Sequence, residues 1–439
     1  MKKLVVLLVD FIVIFGAIIL SFFILKNGVL LNYETNIGAF YYVSPWIMIM
    51  YVVLAYVFGM YNLRRQGLND IVYTVFIVSV ALTICIMAVC FFIRESATSY
   101  PRSVILLSSV IYFFGLILWR SLLRKYYYNT HKDRKVMIVG NGKSKMLPLL
   151  QAKLSGFYKV EHICTGNEND IQKKALEVQA IFIMDDVPDG IREQFFLLSI
   201  EYPKLSVSFL PKINDIGIIN ARLQKLDDIP MHCYSRMFLT GEELIVKRII
   251  DILVSVLLLL CFSPVFVIFP ILIILDGGSV FYRQERLTRG HKIFKIIKFR
   301  TMIADAEHHT GPVLSDKNDK RITRIGKFLR ASRCDELPQL FNILAGDMSL
   351  VGPRPERPYF TEKIEEEIPE FKYRLNVKAG LTGLAQVMSR YNTDVKQKLQ
   401  YDVYYINNYS VFRDLLILLQ TTKIFFMKDY AAGIETPAD

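Results

Sequence analysis

The chain has 439 residues, of which 53% are hydrophobic and only 16 are proline. That length admits roughly three average domains, and the composition excludes disordered, collagen-like and low-complexity classes and suits a simple soluble enzyme poorly. Against 41 Asp+Glu stand 53 Lys+Arg, and the net charge of +12 suits nucleic acid, an anionic membrane surface or phosphorylated substrates.

Four apolar stretches are long enough to cross a bilayer, at approximately Leu4 to Leu25, Tyr41 to Tyr61, Ile71 to Ile93 and Ser103 to Trp119. The first is too long for a signal-peptide core and no small-residue cleavage site follows it, so it is expected to be an uncleaved anchor. Lys2, Lys3, Arg64, Arg65, Arg120, Arg124, Lys125, Lys132, Arg134 and Lys135 fall on one side, and Lys26, Arg94 and Arg102 on the other. The positive-inside rule then places the N-terminus and everything after Trp119 in the cytoplasm. The six cysteines show no CxxC or zinc spacing, in keeping with a reducing compartment.

From Lys135 short apolar runs alternate with helix-compatible stretches. Val136 to Val139, Val160 to Thr165, Ala180 to Met184 and Val207 to Leu210 read as strands, with helices around Leu147, Ala175 and Phe195. Such alternation predicts a parallel α/β sheet. The first strand ends in Gly140-Asn141-Gly142-Lys143-Ser144-Lys145, a Gly-x-Gly turn with lysine where a dinucleotide fingerprint has its third glycine. A tight turn inherited with the fold is favoured over a nucleotide site. A Tyr-x-x-x-Lys spacing at Tyr128/Lys132 and Tyr359/Lys363 is placed for neither dehydrogenase nor epimerase chemistry.

Ile249 to Leu275 is a fifth apolar run, but Ser263-Pro264 sits in its middle and Pro270 follows. Proline should bend this helix sharply. Lys247 and Arg248 precede it, and Arg283, Arg286, Arg289, Lys292, Lys295, Lys298 and Arg300 follow it. Two basic flanks belong on one membrane face, which predicts a re-entrant hairpin rather than a fifth span.

The remaining chain is dense in motifs: Lys298-Phe299-Arg300-Thr301-Met302, Asp319 to Gly326, Arg330 to Leu340, Gly346 to Glu356 and Gly380 to Val387. Arginines recur beside glycines and prolines, a pattern suited to clamping phosphate. One acidic pair, Asp335-Glu336, stands in this basic field. A carboxylate there can hold Mg²⁺ or attack phosphorus; equally, Asp335 can cap a helix whose first turn carries Glu336 and Pro338. Spacing alone leaves these readings level.

The run from Lys247 to about Phe426 resembles the bacterial sugar transferase family, monotopic phosphoglycosyl transferases acting on polyprenyl phosphate. The matching features, in order, are Ser263-Pro264, Phe299-Arg300-Thr301-Met302, Asp335-Glu336-Leu337-Pro338-Gln339, Gly352-Pro353-Arg354-Pro355 and Gly380-Leu381-Thr382-Gly383-Leu384-Ala385-Gln386-Val387. With four preceding helices and a Rossmann-like segment, the whole chain is similar to the large-form members that initiate exopolysaccharide, capsule or O-antigen synthesis. Arg333-Cys334 replaces the commoner Ser-Leu or Ser-Ile, and Ala379 stands where proline often precedes the glycine motif.

The resemblance implies a membrane protein of mixed α and α/β class. Its parts are a four-helix transmembrane bundle (1–125), a Rossmann-like domain (134–235), a mainly helical catalytic domain (242–430) with the hairpin at 247–275, and a polar tail (431–439). It implies transfer of sugar-1-phosphate from a UDP-sugar to undecaprenyl phosphate, with Mg²⁺ as cofactor, at the bacterial inner membrane with the catalytic domain cytoplasmic. UDP-glucose and UDP-galactose are the leading donors, followed by N-acetylated sugars. Asp335 would be the nucleophile, Glu336 its assistant, and both would hold the metal. Arg330, Arg354 and Arg300 would bind substrate phosphate, and Lys247, Arg248, Ser263 and Pro264 would serve the lipid phosphate and membrane anchor. Nucleic acid is not an expected partner; a homodimer is allowed, and the sequence does not reveal the purpose of the Rossmann-like segment. The rival reading is a membrane-anchored NAD-dependent nucleotide-sugar epimerase or dehydratase, and a further rival is a non-enzymatic membrane scaffold.

Overall fold

The computed structural model describes residues 3–26, 33–61, 68–92, 100–142, 146–155, 157–165, 171–212, 215–216, 222–226, 229–233, 238–303, 319, 321–389 and 393–426. The chain divides into two compact units, Met1–Lys212 and Ile213–Asp439.

The first unit opens with helices α1 (Lys3–Leu25), α2 (Tyr33–Val57), α3 (Leu68–Phe92) and α4 (Arg102–His131), all long and apolar enough to cross a bilayer. Their outward residues include Leu4, Ile12, Phe23, Phe91 and Leu118, whereas Asp10, Ser21, Thr74, Ser79, Thr83, Ser108 and Arg120 are buried. Polar groups inside and apolar groups outside is the arrangement hydrocarbon demands, because polar atoms there must find partners within the protein. The Thr83 and Tyr112 hydroxyls meet at 2.7 Å and tie α3 to α4. Arg120 donates to Asp10 at 2.5 Å and to the Met60 carbonyl at 2.9 Å. It is therefore a buried member of the bundle and not one of the loop charges expected to orient it. The ion pair with Asp10 is what offsets the burial of Arg120 just past Trp119, where the apolar run ends. Lys2, Arg64, Arg65 and Arg94, which the orientation also used, lie outside the described residues.

The same unit continues into β1 (Lys135–Val139), α5 (Met146–Ser155), β2 (Lys159–Cys164), α6 (Ile171–Leu176), β3 (Ala180–Ile183), α7 (Asp189–Glu201) and β4 (Ser206–Phe209). The strands are all parallel in the order β2-β1-β3-β4, with Val136 opposite both Val160 and Ala180. Each strand and helix falls where the alternation predicts it. The fully buried residues Met137, Ile138, Val139, Ile181 and Met184 form the centre of the core. Gly140 lets the first turn press on Met184, because a Cβ there would lie 2.7 Å from the Met184 Cγ.

The second unit contains a hairpin of β5 (Arg222–Leu226) and β6 (Ile229–Cys233), then helices α8 (Gly241–Cys261) and α9 (Ser263–Leu275). Thr240 and Glu243 form a reciprocal capping box that starts α8. The axis turns by 61° between α8 and α9, with Phe262 at the break and Pro264 in the first turn of α9. The residues of α8 that are buried are Lys247, Asp251 and Ser255, four apart, whereas Ile245, Ile249, Leu253, Val256 and Leu260 are exposed. The helix is thus amphipathic with its polar face inward, the reverse of a helix packed in water.

An antiparallel ribbon follows, β7 (Phe281–Thr288) with β8 (Lys292–Phe299), pairing Phe281 with Phe299. Next come α10 (Arg324–Ala331), a 3₁₀ turn (Cys334–Glu336), α11 (Gln339–Ala345), β9 (Ser349–Val351) and α12 (Pro358–Glu367). The chain closes with a second 3₁₀ segment (Pro369–Asn376), β10 (Gly380–Thr382), α13 (Leu384–Met388), α14 (Val395–Asn407) and α15 (Val411–Phe426). β9 and β10 pair in parallel. Leu340, Ile343, Met348, Leu350 and Ile417, all nearly inaccessible, hold these elements together with Phe294 and Ile296 of β8.

Candidate active site

The acidic pair sits on the 3₁₀ turn between α10 and α11. Arg333 precedes it with φ 56°, one of two non-glycine residues with positive φ among the described residues. A left-handed arginine is costly and persists only where its surroundings hold it. It reverses the chain after α10 so that Asp335 and Glu336 face back toward β8. Asp335 caps no helix: Arg333 holds the N-cap position of the 3₁₀ turn and Pro338 that of α11, neither with a side-chain capping bond. The capping reading is therefore set aside.

Glu336 is the better neutralised of the two carboxylates. Lys298 of β8 donates to its Oε1 at 2.9 Å, and Arg354 donates to the same oxygen at 3.0 Å. Burial alone would raise this carboxyl, but Lys298 and Arg354 outweigh it and hold Glu336 well below the usual carboxylate range. No ion pair reaches Asp335 among the described residues. Burial, reinforced by the charge of Glu336, pushes its carboxyl up to about 6, against the opposing pull of Lys298, Arg330 and Arg333. Two adjacent carboxylates thus differ in kind: one is held as an anion, and the other has its proton affinity raised.

Arg354 stands on a loop that is neither helix nor strand, between β9 and α12. Glycines on both sides place it. Gly352 N–H donates to the Thr382 carbonyl at 2.8 Å and Gly380 N–H to the Pro353 carbonyl at 2.9 Å. A Cβ on Gly352, Gly380 or Gly383 would collide with backbone of the opposing segment, so the two glycine motifs are one close backbone contact. The Glu336 bond strengthens the hold of Arg354 on its proton.

The other residues singled out from the sequence divide sharply. Arg330 lies one turn before the acidic pair and donates through Nε to the Thr301 hydroxyl at 3.0 Å. Arg300 is buried, donates to the Ile273 carbonyl at 3.2 Å and packs on Gly278, so it secures the end of α9. Lys247, expected at the lipid headgroups, is 6% exposed and donates to Asp414 at 2.6 Å and to the Tyr405 hydroxyl at 3.1 Å. This is a correction with a simple cause, since its helical position shares the inward face with Asp251 and Ser255. Arg248 donates to the carbonyls of Ile343 and Leu344 at 2.5 and 2.6 Å, capping the C-terminus of α11. Ser263 and Pro264 stand at the bend itself.

Several residues that organise the site carry no motif. Asn342 accepts from Ile297 N–H and donates to the Lys295 carbonyl, both at 2.9 Å, fastening α11 to β8. Asp251 accepts from Ser349 Oγ at 3.0 Å and Leu350 N–H at 2.9 Å, fastening α8 to β9. A charge inside an apolar helix was the available signal for Asp251. Lys298 had the signal of standing in a motif, and only the fold reveals its partner. Lys363 lies 4.5 Å from the Tyr359 ring centroid on α12, so that Tyr-x-x-x-Lys spacing is an i,i+4 cation–π pair. In the first unit, Asn141 Nδ2 donates to the Asp186 carbonyl at 3.1 Å across the glycine turn, while Lys143, Ser144 and Lys145 lie outside the described residues.

The family description "Bacterial sugar transferase" matches residues 242–428. The chain is 42% identical over 182 residues to a UDP-N-acetylgalactosamine-undecaprenyl-phosphate N-acetylgalactosaminephosphotransferase of Aeromonas hydrophila, covering 40% of this chain and 43% of that protein. It is 32% identical over 281 residues to a UDP-glucose:undecaprenyl-phosphate glucose-1-phosphate transferase of Klebsiella pneumoniae, covering 62% and 60%. A putative undecaprenyl-phosphate N-acetylgalactosaminyl 1-phosphate transferase of Bacillus subtilis is 49% identical over 146 residues, 33% of this chain and 81% of that protein. The chain thus spans about half the length of the first two relatives.

Proposed function

Because the chain belongs to the bacterial sugar transferase family, we propose that it moves a sugar-1-phosphate from a UDP-sugar to undecaprenyl phosphate. The observation that carries this reading is the unequal acidic pair: Glu336 clamped by Lys298 and Arg354, Asp335 without an ion pair among the described residues.

Asp335 attacks the sugar-linked phosphorus through a carboxylate oxygen. The bond from that phosphorus to the bridging oxygen breaks, UMP leaves, and the phosphosugar stays on Asp335. An oxygen of undecaprenyl phosphate then attacks the same phosphorus, and the carboxylate of Asp335 departs. One phosphoanhydride replaces another, so no ATP is required. Arg354, 44% exposed at its side chain, spends Nη2 on Glu336 and offers its remaining donors to the substrate phosphate, while Lys298 helps to keep Glu336 anionic. Arg330, beside Thr301, adds positive charge that Asp335 feels.

The site fits Mg²⁺. No group of three or more His, Cys, Asp or Glu side chains forms a metal cage among the described residues. Two neighbouring carboxylates, one without an ion pair, suit a cation that completes its shell with water and substrate phosphates. Asp335 and Glu336 would hold it, and when bound it would neutralise charge on the phosphates.

The inverted amphipathicity of α8, and the apolar surface of α9, support a re-entrant anchor in the membrane. On this reading the catalytic unit sits at the cytoplasmic face of the inner membrane, where soluble UDP-sugar and lipid phosphate meet. The test is incubation of the purified protein with Mg²⁺ and a panel of UDP-sugars that includes glucose, galactose and N-acetylgalactosamine. Without lipid acceptor the expected result is one equivalent of UMP per active site, followed by turnover once undecaprenyl phosphate is added. Unchanged activity in Asp335→Asn would exclude Asp335 as the nucleophile.

A further inference from the structure

The loop that carries Arg354 has an unusual support. Three successive backbone carbonyls in it each accept a hydrogen bond, one from the second 3₁₀ segment and two from β7. The Arg354 carbonyl takes Arg374 Nη2 at 2.8 Å, the Pro355 carbonyl takes Arg286 Nη1 at 3.2 Å, and the Glu356 carbonyl takes Leu287 N–H at 3.0 Å. Irregular backbone ordinarily spends such groups on water. Here two buried or half-buried guanidinium groups are committed to main chain instead.

Each guanidinium is itself held. Arg374 is 6% exposed, pairs with the buried Asp402 of α14 at 3.0 Å and lies 4.6 Å over the Phe371 ring. Arg286 is buttressed by Gln284 at 2.6 Å and by Glu356 at 3.8 Å. A rigid, planar fork presents its donors to a carbonyl and a carboxylate in fixed directions, whereas a lysine ammonium swings on a flexible stem.

We infer that Arg374, with Asp402 behind it, and Arg286 are positioning residues that fix the Arg354 loop, so that the Arg354 guanidinium reaches both Glu336 and the substrate phosphate. The phosphate half of this inference rests on the function proposed above; the clamp on the loop does not. Neither arginine is placed to touch the reacting atoms. Their contribution is preorganisation: without them Arg354 would have to be ordered at each turnover.

Two measurements on the full-length protein separate the clamp from the chemistry. The first is amide hydrogen exchange followed by mass spectrometry. The Leu287 and Gly380 amides donate to the Glu356 and Pro353 carbonyls, so both should exchange faster in Arg374→Ala and in Asp402→Asn, while α8 peptides stay unchanged. Unaltered exchange at both amides overturns the clamp, whatever the enzyme's activity. The second is a double-mutant cycle on UMP release. Arg374→Ala should lower kcat by about 10- to 100-fold with little change in KM for the UDP-sugar. Added to Arg354→Ala, it should cost less than about threefold more. A fully multiplicative loss would mean that Arg374 acts independently of Arg354. Arg374→Lys guards against misfolding: it keeps the charge opposite Asp402, so its thermal stability should stay near wild type while kcat falls. Equal kcat in Arg374→Lys and wild type would also refute the role, since the role rests on the fixed geometry of the guanidinium fork.

Discussion

Lys298→Met is the most informative single change, because it removes a charge and leaves the strand intact. The ammonium is 2.9 Å from Glu336 Oε1, with side chains 20% and 14% exposed. At the effective dielectric of a protein near its surface, the bare attraction at this separation is about 4–6 kcal/mol. Desolvation, residual exposure and the remaining Arg354 reduce the net loss to about 1.5–3 kcal/mol, the usual range for a hydrogen bond to a charged group. That corresponds to about a 10- to 150-fold fall in kcat/KM for UMP release. The pH profile carries the sharper signature. Lys298 pulls both carboxyls down, so its removal raises both, and the acid limb, expected near pH 6 from Asp335, should move to higher pH. The assay is UMP release between pH 5 and 9, with far-UV circular dichroism to verify the fold. A full rate with an unmoved acid limb would refute the electrostatic account of the pair.

Further changes test the same structure from other sides. Asp335→Asn should raise the melting temperature at pH 7.5 while abolishing turnover. The folded state holds the Asp335 proton more tightly than the unfolded chain, so ionisation at neutral pH costs stability, about 1–2 kcal/mol after allowance for partial exposure. As pH falls through about 6 toward 4 that gain should shrink, and a Tm difference independent of pH would contradict it. Asn342→Ala leaves Ile297 N–H and the Lys295 carbonyl without their partner and should cost about 2–4 kcal/mol in denaturant unfolding. Gly380→Ala forces β10 away from Gly352 and should destabilise by about 1–3 kcal/mol while reducing kcat, because the same contact carries the Arg354 loop.

The parallel sheet of the first unit was readable because each strand is a short apolar run bounded by polar helices, and that periodicity survives in a single sequence. The helix boundaries were less so. α4 runs to His131, about three turns beyond the last continuous apolar residues, and Arg120 within it finds Asp10 at a separation of 110 residues. No local pattern announces such a pair. The acidic pair was legible as an exception in a basic field, and Arg354 as an arginine framed by prolines. Their division of labour was not, since it depends on Lys298 from a distant strand. Lys247 was misplaced for the same reason: flanking charge suggests an interface, whereas helical phase turns it inward toward Asp414.

That phase has a larger consequence. Within two turns of α8, Lys247 holds α15, Arg248 holds the C-terminus of α11, and Asp251 holds β9. The segment held by Arg248 begins just after Asp335-Glu336, and the strand held by Asp251 ends just before Gly352-Pro353-Arg354. One helix therefore fixes both halves of the site from its inward face, while the same turns expose Ile245, Ile249 and Ile252 outward. If that outward face lies in lipid as proposed, the acidic pair and its arginine are tied to the depth of α8 and cannot shift against the membrane separately. Apolar residues alone could have packed α8 in place, but only buried polar ones specify its rotation, and a helix turned by one residue would present Asp251 and Ser255 to hydrocarbon. Placing the cations and carboxylate on the inner face makes the rotation that buries them also the one that sets the depth of the catalytic pair.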